Sequence, residues 1–256
     1  MESIVRMLDV SRDLEQVRRL HAFLLPHFGT TELEPLAYYE AQAISSSPVR
    51  VIMLLGVADG VPVCGSISDL LPLPGEGRVL AAIGHALVSS TMRGRGLGRR
   101  LAAETDSALA RCADALGKRV EAYILESEAE ARVFWSRQGY RWPDQMRFFQ
   151  PPLAYKPDGT PALPHVPLFL MVRHAAHPTA IPAGLLREYA GVLLGEWYRS
   201  EIPDQVSDPA ACRRATDWFD ETILAPVLRS IVGDPVRLRD LESLSNAESA
   251  QWLQAI

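Results

Sequence analysis

The chain has 256 residues, 48% of them hydrophobic, enough for one large domain or two small ones with a buried core. Its longest apolar run, Val51 to Ala58, falls far short of the ~20 residues a membrane helix needs, and Cys64, Cys112 and Cys212 are too scattered for a disulfide framework or a zinc site. The net charge of −5 is unevenly placed: residues 1–175 carry 19 basic and 19 acidic side chains, residues 176–256 carry 7 and 12, so the tail has no basic cluster for nucleic-acid phosphates. The start, Met-Glu-Ser, has no charged-then-apolar leader. The expectation is a soluble cytoplasmic protein with no nucleic-acid or membrane partner.

In chain order, Ile4–Leu8 reads as a strand. Ser11 and Asp13 cap a helix whose apolar face is Leu14, Val17, Leu20, His21 and Leu24, and Pro26 ends it. A second helix runs from about Thr31 to Ala43, with Thr31 and Glu34 placed for a capping box and Pro35 in its first turn. Two strand-like runs, Val49–Ala58 and Val61–Ser68, are joined by Asp59-Gly60, a strong hairpin signal. The breaker-rich loop 71–77 leads to a central strand, Leu80–Val88. A glycine-rich turn and a helix come next, then a strand at Arg119–Leu125, making a strand–helix–strand unit of right-handed parallel type. Met146–Phe149 reads as one more strand, Pro151–Pro164 as a loop with five prolines, and His165–Val172 as a final strand paired with the previous one.

The turn between the central strand and its helix holds Gly94, Gly96 and Gly98 among Arg93, Arg95, Arg99 and Arg100. A helix start leaves backbone N–H groups without partners, and their dipoles sum to about half a positive charge there. Glycines let an anion approach closely, so the turn reads as a phosphate cradle. A P-loop needs Lys and Ser or Thr after its last glycine, and Arg99 stands there instead. The dinucleotide fingerprint needs a sixth-position glycine, and Arg99 stands there too. What remains is Arg-x-x-Gly-x-Gly on Arg93, Gly96 and Gly98. A glycine-rich turn with no ligand is the plainer alternative.

This motif closely resembles the acetyl-CoA loop of the GNAT N-acetyltransferase superfamily. The segment from Ala129 to Trp142 is similar to the family's second signature, with Phe134, Trp135, Gly139 and Tyr140 in its aromatic and glycine positions. The resemblance implies an α/β fold with a mixed, mostly antiparallel sheet flanked by helices, ending near Arg173. Residues 1–175 would be a GNAT-like acetyl-CoA-binding domain, and residues 176–256 an all-helical C-terminal extension. The implied reaction is direct attack of an amine on the thioester of acetyl-CoA, with no metal.

Under that resemblance, Arg93, Gly94, Arg95, Gly96, Leu97, Gly98 and Arg99 would hold the pyrophosphate, and the backbone near Leu87 and Val88 would polarise the thioester, beside a bulge that Gly84 suits. Tyr38, Tyr39 and Trp135 are candidates for the acceptor pocket; two tyrosines packed on the sheet is the alternative for the first two. The chain departs from the pattern at two catalytic positions. Trp135 replaces a tyrosine acid, and an indole, though its N–H donates hydrogen bonds, cannot act as an acid; Ala82 replaces a glutamate base. His85 on the central strand titrates near neutrality and is the candidate base, with a packed core histidine as the alternative. Glu126 and Glu128, after the last parallel strand, are further replacement groups, Glu128 standing where the family often has Asn; the plainer reading places both in the first turn of the next helix, where carboxylates are favoured. Ser89 and Ser90 either donate to the thioester sulfur or cap the turn. His165, His174 and His177 look like a metal cluster only superficially. A CoA-binding sensor or interaction module without catalysis is the second functional reading.

In the tail, Ile181, Leu185, Leu186, Tyr189, Val192, Leu193 and Trp197 recur at helical spacing after Pro182. A second helix opens at Asp208-Pro209 and presents Trp218, Phe219 and Ile223; Pro226 breaks or kinks it, and Gly233 ends the segment beyond that proline. Ser245 and Glu248 form a further capping box before a last helix at 250–256. These apolar faces must be covered by the acetyltransferase-like domain, by each other or by a second copy of the chain; the expectation is that the tail covers the acceptor side of the domain, with a homodimer as the second possibility.

Overall fold

The computed structural model describes residues 4–45, 50–144 and 146–240, so the capping box at Ser245 and the helix after it lie outside the described residues. The chain forms two compact units, Met1–Leu70 with Glu76–Val120, and Leu71–Gly75 with Glu121–Ile256.

The first unit opens with strand β1 (Val5–Asp9) and helix α1 (Leu14–Glu32). Asp13 caps α1 by accepting from the Gln16 amide at 3.1 Å. Ser11 does different work: its hydroxyl donates to Asp9 and accepts from the Met53 amide at 2.9 Å. Pro26 does not end the helix. Val17, Leu20 and Leu24 are buried on the sheet, and their burial outweighs the ~3 kcal/mol cost of an interior proline; the break falls instead at Gly29, with φ 72°. Helix α2 (Leu36–Ile44) therefore starts after its N-cap Pro35 and not at Thr31, which the backbone places in α1; the Thr31 side chain of the predicted capping box lies outside the described residues.

Strands β2 (Val51–Ala58) and β3 (Val61–Pro72) are an antiparallel hairpin. Its central residues Asp59 and Gly60 both take positive φ, 49° and 80°, the primed turn that matches strand twist. Strand β4 (Arg78–Val88) leads through a 3₁₀ turn (Ser90–Met92) to helix α3 (Leu97–Ala115), with β5 (Arg119–Ser127) next in the chain. The strand order in this unit is β1-β2-β3-β4, with β1 antiparallel to β2. Alternation along β2 divides its residues between two layers. Val51, Met53 and Leu55 join Val17, Leu20, Leu24, Tyr39 and Ala43 in a core under α1 and α2. On the other face Ser66 meets Thr105 of α3 at 2.8 Å.

In the second unit β5 pairs antiparallel with β9 (Phe169–Arg173). Between them lie helix α4 (Arg132–Arg137) and three two-residue strands, β6 (Trp142–Pro143), β7 (Phe149–Gln150) and β8 (Val166–Pro167). The strand predicted at Met146–Phe149 is thus a buried irregular stretch in which only Phe149 pairs. The predicted final strand is split at Leu168: its first part pairs with β7, its second with β5.

The tail is helical between Ala183 and Ser230: α5 (Ala183–Val192), a π-helical turn (Leu193–Tyr198), a 3₁₀ turn, α6 (Ile202–Gln205), α7 (Pro209–Phe219), a second π-helical turn (Asp220–Leu224) and α8 (Ala225–Ser230). Asp208 caps α7 through the Ala211 amide at 2.7 Å, with Pro209 at the first position. Pro226 does not interrupt the rod because the wide turn before it shifts the ladder: the Ala225 amide bonds the Asp220 carbonyl, five residues back. Two short strands bracket the helices, β10 (Ala180–Ile181) and β11 (Val236–Arg239), and β11 lies between β10 and β6. Helical periodicity gives no sign of them. Leu186, Tyr189, Leu193, Leu194, Phe219 and Ile223 are fully buried.

Candidate functional site

Strand β4 changes character halfway. Val79 to Ile83 are buried, whereas Gly84 to Val88 are exposed or half-buried, so the strand's last residues leave the core before the turn. The Leu87 side chain packs against the α1–α2 core. The Ser89 amide bonds the Val63 carbonyl at 2.9 Å, and Arg93 Nε donates to the Val88 carbonyl at 3.3 Å. The chain then passes through Gly94 (φ 76°) and Gly96 (φ 77°, ψ 0°), and Gly96 is the N-cap of α3. This left-handed backbone costs other residues ~1–2 kcal/mol. A side chain built on either glycine would meet nothing within 4 Å, so the space in front of the turn is open.

No side chain caps α3 and its first turn holds no acidic residue. The first intrahelical bond is Arg100 N–H to Gly96 C=O at 3.1 Å, which leaves the amides of Leu97, Gly98 and Arg99 without helical acceptors. Arg93, Arg95, Arg99 and Arg100 are exposed. Arg100 donates to the Val5 carbonyl at 2.9 Å, while Arg95 and Arg99 make no hydrogen bond or ion pair among the described residues. A 19-residue helix thus starts with bare amides beneath two uncommitted guanidinium groups. The arrangement suits a phosphate-bearing ligand.

His85 lies on the same unit. Its Nε2 is 2.9 Å from the Glu32 carbonyl and its ring meets Phe28 edge-on at 4.7 Å. A carbonyl only accepts, so Nε2 carries the proton and the neutral ring keeps its lone pair on Nδ1. Burial is the main cause of a pKa below the ordinary histidine value, which keeps the ring neutral at pH 7. Tyr39 is buried in the α1–α2 core, its ring 6.0 Å from His21, and its hydroxyl is pushed upward in pKa mainly by burial; Tyr38 is 39% exposed. Of the two tyrosines, only Tyr38 offers a surface. Ala82 is fully buried. Ser89 Oγ meets Thr91 Oγ1 at 3.0 Å.

In the second unit Trp135 packs edge-on between Phe134 (4.9 Å) and Tyr140 (5.4 Å), and Arg173 stacks over Tyr140 and Tyr123. His174 and His177 lie 4.6 Å apart, but His165 sits against Phe149 instead. Among the described residues no group of three His, Cys, Asp or Glu side chains is placed to hold a metal ion, and no helix is long and apolar enough to cross a membrane.

Glu126 and Glu128 are not in a helix start. Glu126 belongs to β5, Glu128 is exposed in the turn after it, and α4 begins only at Arg132. Both Glu126 oxygens accept from the Tyr198 hydroxyl at 2.8 Å. Burial pushes the Glu126 carboxyl up to about 7, and the Tyr198 hydrogen bond works in the opposite direction. Sequence reasoning missed this pair because its members are 72 positions apart; a glutamate inside an apolar strand was the signal available.

An α/β fold with a mainly antiparallel sheet, in which one strand runs through an open glycine turn into a helix, is the class this geometry defines. No family model matches the chain, and no curated protein does. Solved structures similar to it include a protein from Bacteroides thetaiotaomicron assigned to the GNAT-family acetyltransferases, at 18% identity and a TM-score of 0.47, covering 66% of this chain and 86% of that one. Arabidopsis thaliana NAA60 in complex with acetyl-CoA is similar at 14% identity and a TM-score of 0.47, covering 68% and 99%. Glucosamine-6-phosphate N-acetyltransferase from Arabidopsis thaliana is similar at 15% and 0.42, covering 53% and 90%.

Proposed function

We propose that the chain is an acetyl-CoA-dependent N-acetyltransferase of the GNAT type, acting on an amine of a small molecule, with a protein amine as the lesser alternative. In this reading residues 1–175 are the catalytic domain, residues 176–256 its helical extension, and the protein works in the cytoplasm without a metal. The observation that carries the reading is the start of α3: amides of Leu97, Gly98 and Arg99 with no helical acceptor, behind an open turn at Gly94 and Gly96, flanked by uncommitted Arg95 and Arg99.

The residues present fit a pyrophosphate. The amides and Arg93, Arg95 and Arg99 would bind it, and the end of β4 at Leu87 and Val88 would lie along the acyl arm. Acetyl-CoA would supply an activated acyl group as a thioester. His85 is the candidate base, through Nδ1. Positioning of two reactants is worth ~7–11 kcal/mol and a general base ~10²–10⁴-fold, so positioning dominates and a weakened base is tolerable.

The second reading, a CoA-binding sensor, is favoured by Ala82, which is buried and has no proton chemistry, and by Trp135, which has no acid to give. Free-thiol release from acetyl-CoA over a panel of amines separates the two: release above the hydrolytic background supports the enzyme, and binding without release supports the sensor. Gly96→Glu places a carboxylate in the turn and should abolish calorimetric CoA binding in a folded protein. Unchanged affinity removes the site and both readings with it.

A further inference from the structure

Glu126 is a carboxylate in an apolar strand. Its neighbours on the same face of β5, Ala122 and Ile124, are buried. Among the described residues its one partner is Tyr198, and no lysine, arginine or histidine pairs with it. The other groups facing the pair bring no positive charge: Gln150 hydrogen-bonds the Tyr198 phenol, and Glu201 raises its pKa. A desolvated carboxylate without a counter-ion is costly to keep, and that cost is the reason the group titrates so high.

Tyr198 is firmly held. It ends a π-helical turn whose first residues, Leu193 and Leu194, are fully buried. The next residue, Arg199, grips Asp220 with two parallel bonds of 2.8 and 3.0 Å, and Asp220 opens the second π-helical turn. Such turns concentrate at functional sites, and here the two are clasped together through the residue that follows Tyr198 in the chain.

We propose that Glu126 and Tyr198 form a receptor for a primary ammonium group, in which the carboxylate holds the cation and Tyr198 is the positioning residue that orients the carboxylate. A carboxylate offers about four acceptor positions; the single phenol proton, shared between the two oxygens, leaves room for ammonium N–H donors. The ammonium supplies the missing counter-charge. It can then pass one proton on: an N–H bond breaks, its electron pair stays on nitrogen, and an O–H bond forms on Glu126, giving a neutral amine and a neutral carboxyl. A carboxyl that titrates near neutrality takes that proton more readily than an ordinary one. The receptor goes beyond the acetyltransferase reading and stands on residues of the second unit alone.

The test uses the full-length protein without CoA, with butylamine, benzylamine and 1,5-diaminopentane as probes and butanol as the uncharged control, by calorimetry at pH 6 and pH 8. Ionisation of Glu126 across this range should raise amine affinity about tenfold from pH 6 to pH 8. Glu126→Gln should flatten that rise and weaken binding at pH 8 by at least about tenfold. Tyr198→Phe keeps the ring and the charge but loses the bond that favours the carboxylate, so its inflection should move to higher pH. Far-ultraviolet circular dichroism verifies that both variants are folded. Binding of none of the amines at millimolar concentration, butanol binding as well as butylamine, wild-type affinity in Glu126→Gln, or an unmoved inflection in Tyr198→Phe overturns the proposal. Amine binding of this kind with no thiol release from acetyl-CoA keeps the receptor and removes the acetyltransferase reading. Thiol release from acetyl-CoA without amine binding of this kind does the reverse.

Discussion

The turn into α3 and the Glu126–Tyr198 pair deal with charge in opposite ways. The turn is exposed and cationic, and it is assembled from consecutive residues, Val88 to Arg99. The pair is desolvated and anionic, and it joins a strand to a helical turn 72 residues later. Exposed arginines at the turn keep their hydration, so it costs little that Arg95 and Arg99 have no partner among the described residues. A carboxylate at Glu126 has lost most of its water, and an absent counter-ion shows directly as a raised pKa. Substitutions at the turn should therefore change binding and spare stability, and substitutions around the pair should change both.

The largest expected effect belongs to the helical region that carries Tyr198. Phe219 is fully buried, and Phe219→Ala should cost about 3–5 kcal/mol, read as a lowered urea midpoint. A loss below about 1 kcal/mol would mean that this region contributes little packing. By contrast, Arg95→Ala with Arg99→Ala should leave the midpoint within about 0.5 kcal/mol of wild type. CoA affinity in that double variant should fall at least about tenfold, at about 1.5–3 kcal/mol per charge-assisted bond, with a weaker dependence on salt. A shifted midpoint with unchanged affinity would invert the comparison.

His85 stands between these two cases, half-buried and neutral. Its lowered pKa means that acid must go below the ordinary histidine value before the ring is protonated. Turnover through His85 should therefore be flat above about pH 6.5 and fall only on further acidification. His85→Ala should lower turnover by about 10²-fold and remove that acid limb. If turnover and limb both persist, His85 is a packing residue against Phe28.

The same contrast decides what was legible in the sequence. The hairpin at Asp59-Gly60, the capped starts at Asp13 and Asp208, and the passage from β4 through Gly96 into α3 depend on neighbouring residues, and each is found where local chemistry puts it. Where distant packing wins, local signals mislead. Pro26 is carried inside α1 because Val17, Leu20 and Leu24 bury on the sheet, and the break falls later, at Gly29, so that α2 starts only after Pro35. Strands β10 and β11 exist because each finds the other, across more than fifty residues. Within the candidate site, the left-handed turn at Gly94 and Gly96 among exposed arginines follows from consecutive residues. Glu126 was placed in the wrong element, and Tyr198 carried no signal at all.

The smallest expected effect is also the most specific. In the unfolded chain Glu126 titrates at an ordinary carboxyl value near 4.5, and in the folded protein at about 7. The folded state therefore holds this proton more tightly, so the stabilisation is complete below about pH 4.5 and is lost as pH rises through about 7. His85 acts in the opposite sense, because its folded pKa is depressed: its contribution is lost as pH falls below about 6.5. The two slopes oppose each other as pH falls below about 6.5, and the wild-type profile alone separates neither. The difference between wild type and Glu126→Gln does separate them, since His85 is common to both. That difference in urea midpoint should favour wild type at pH 5 relative to pH 8 and level off above about pH 7.5. Tyr198→Phe should extend the slope to higher pH, because the bond it removes favours the ionised carboxylate. A difference that stays constant from pH 4.5 to pH 8 would show that Glu126 titrates as an ordinary surface carboxyl, and the contrast between a hydrated turn and a desolvated pair would fail at its sharpest point.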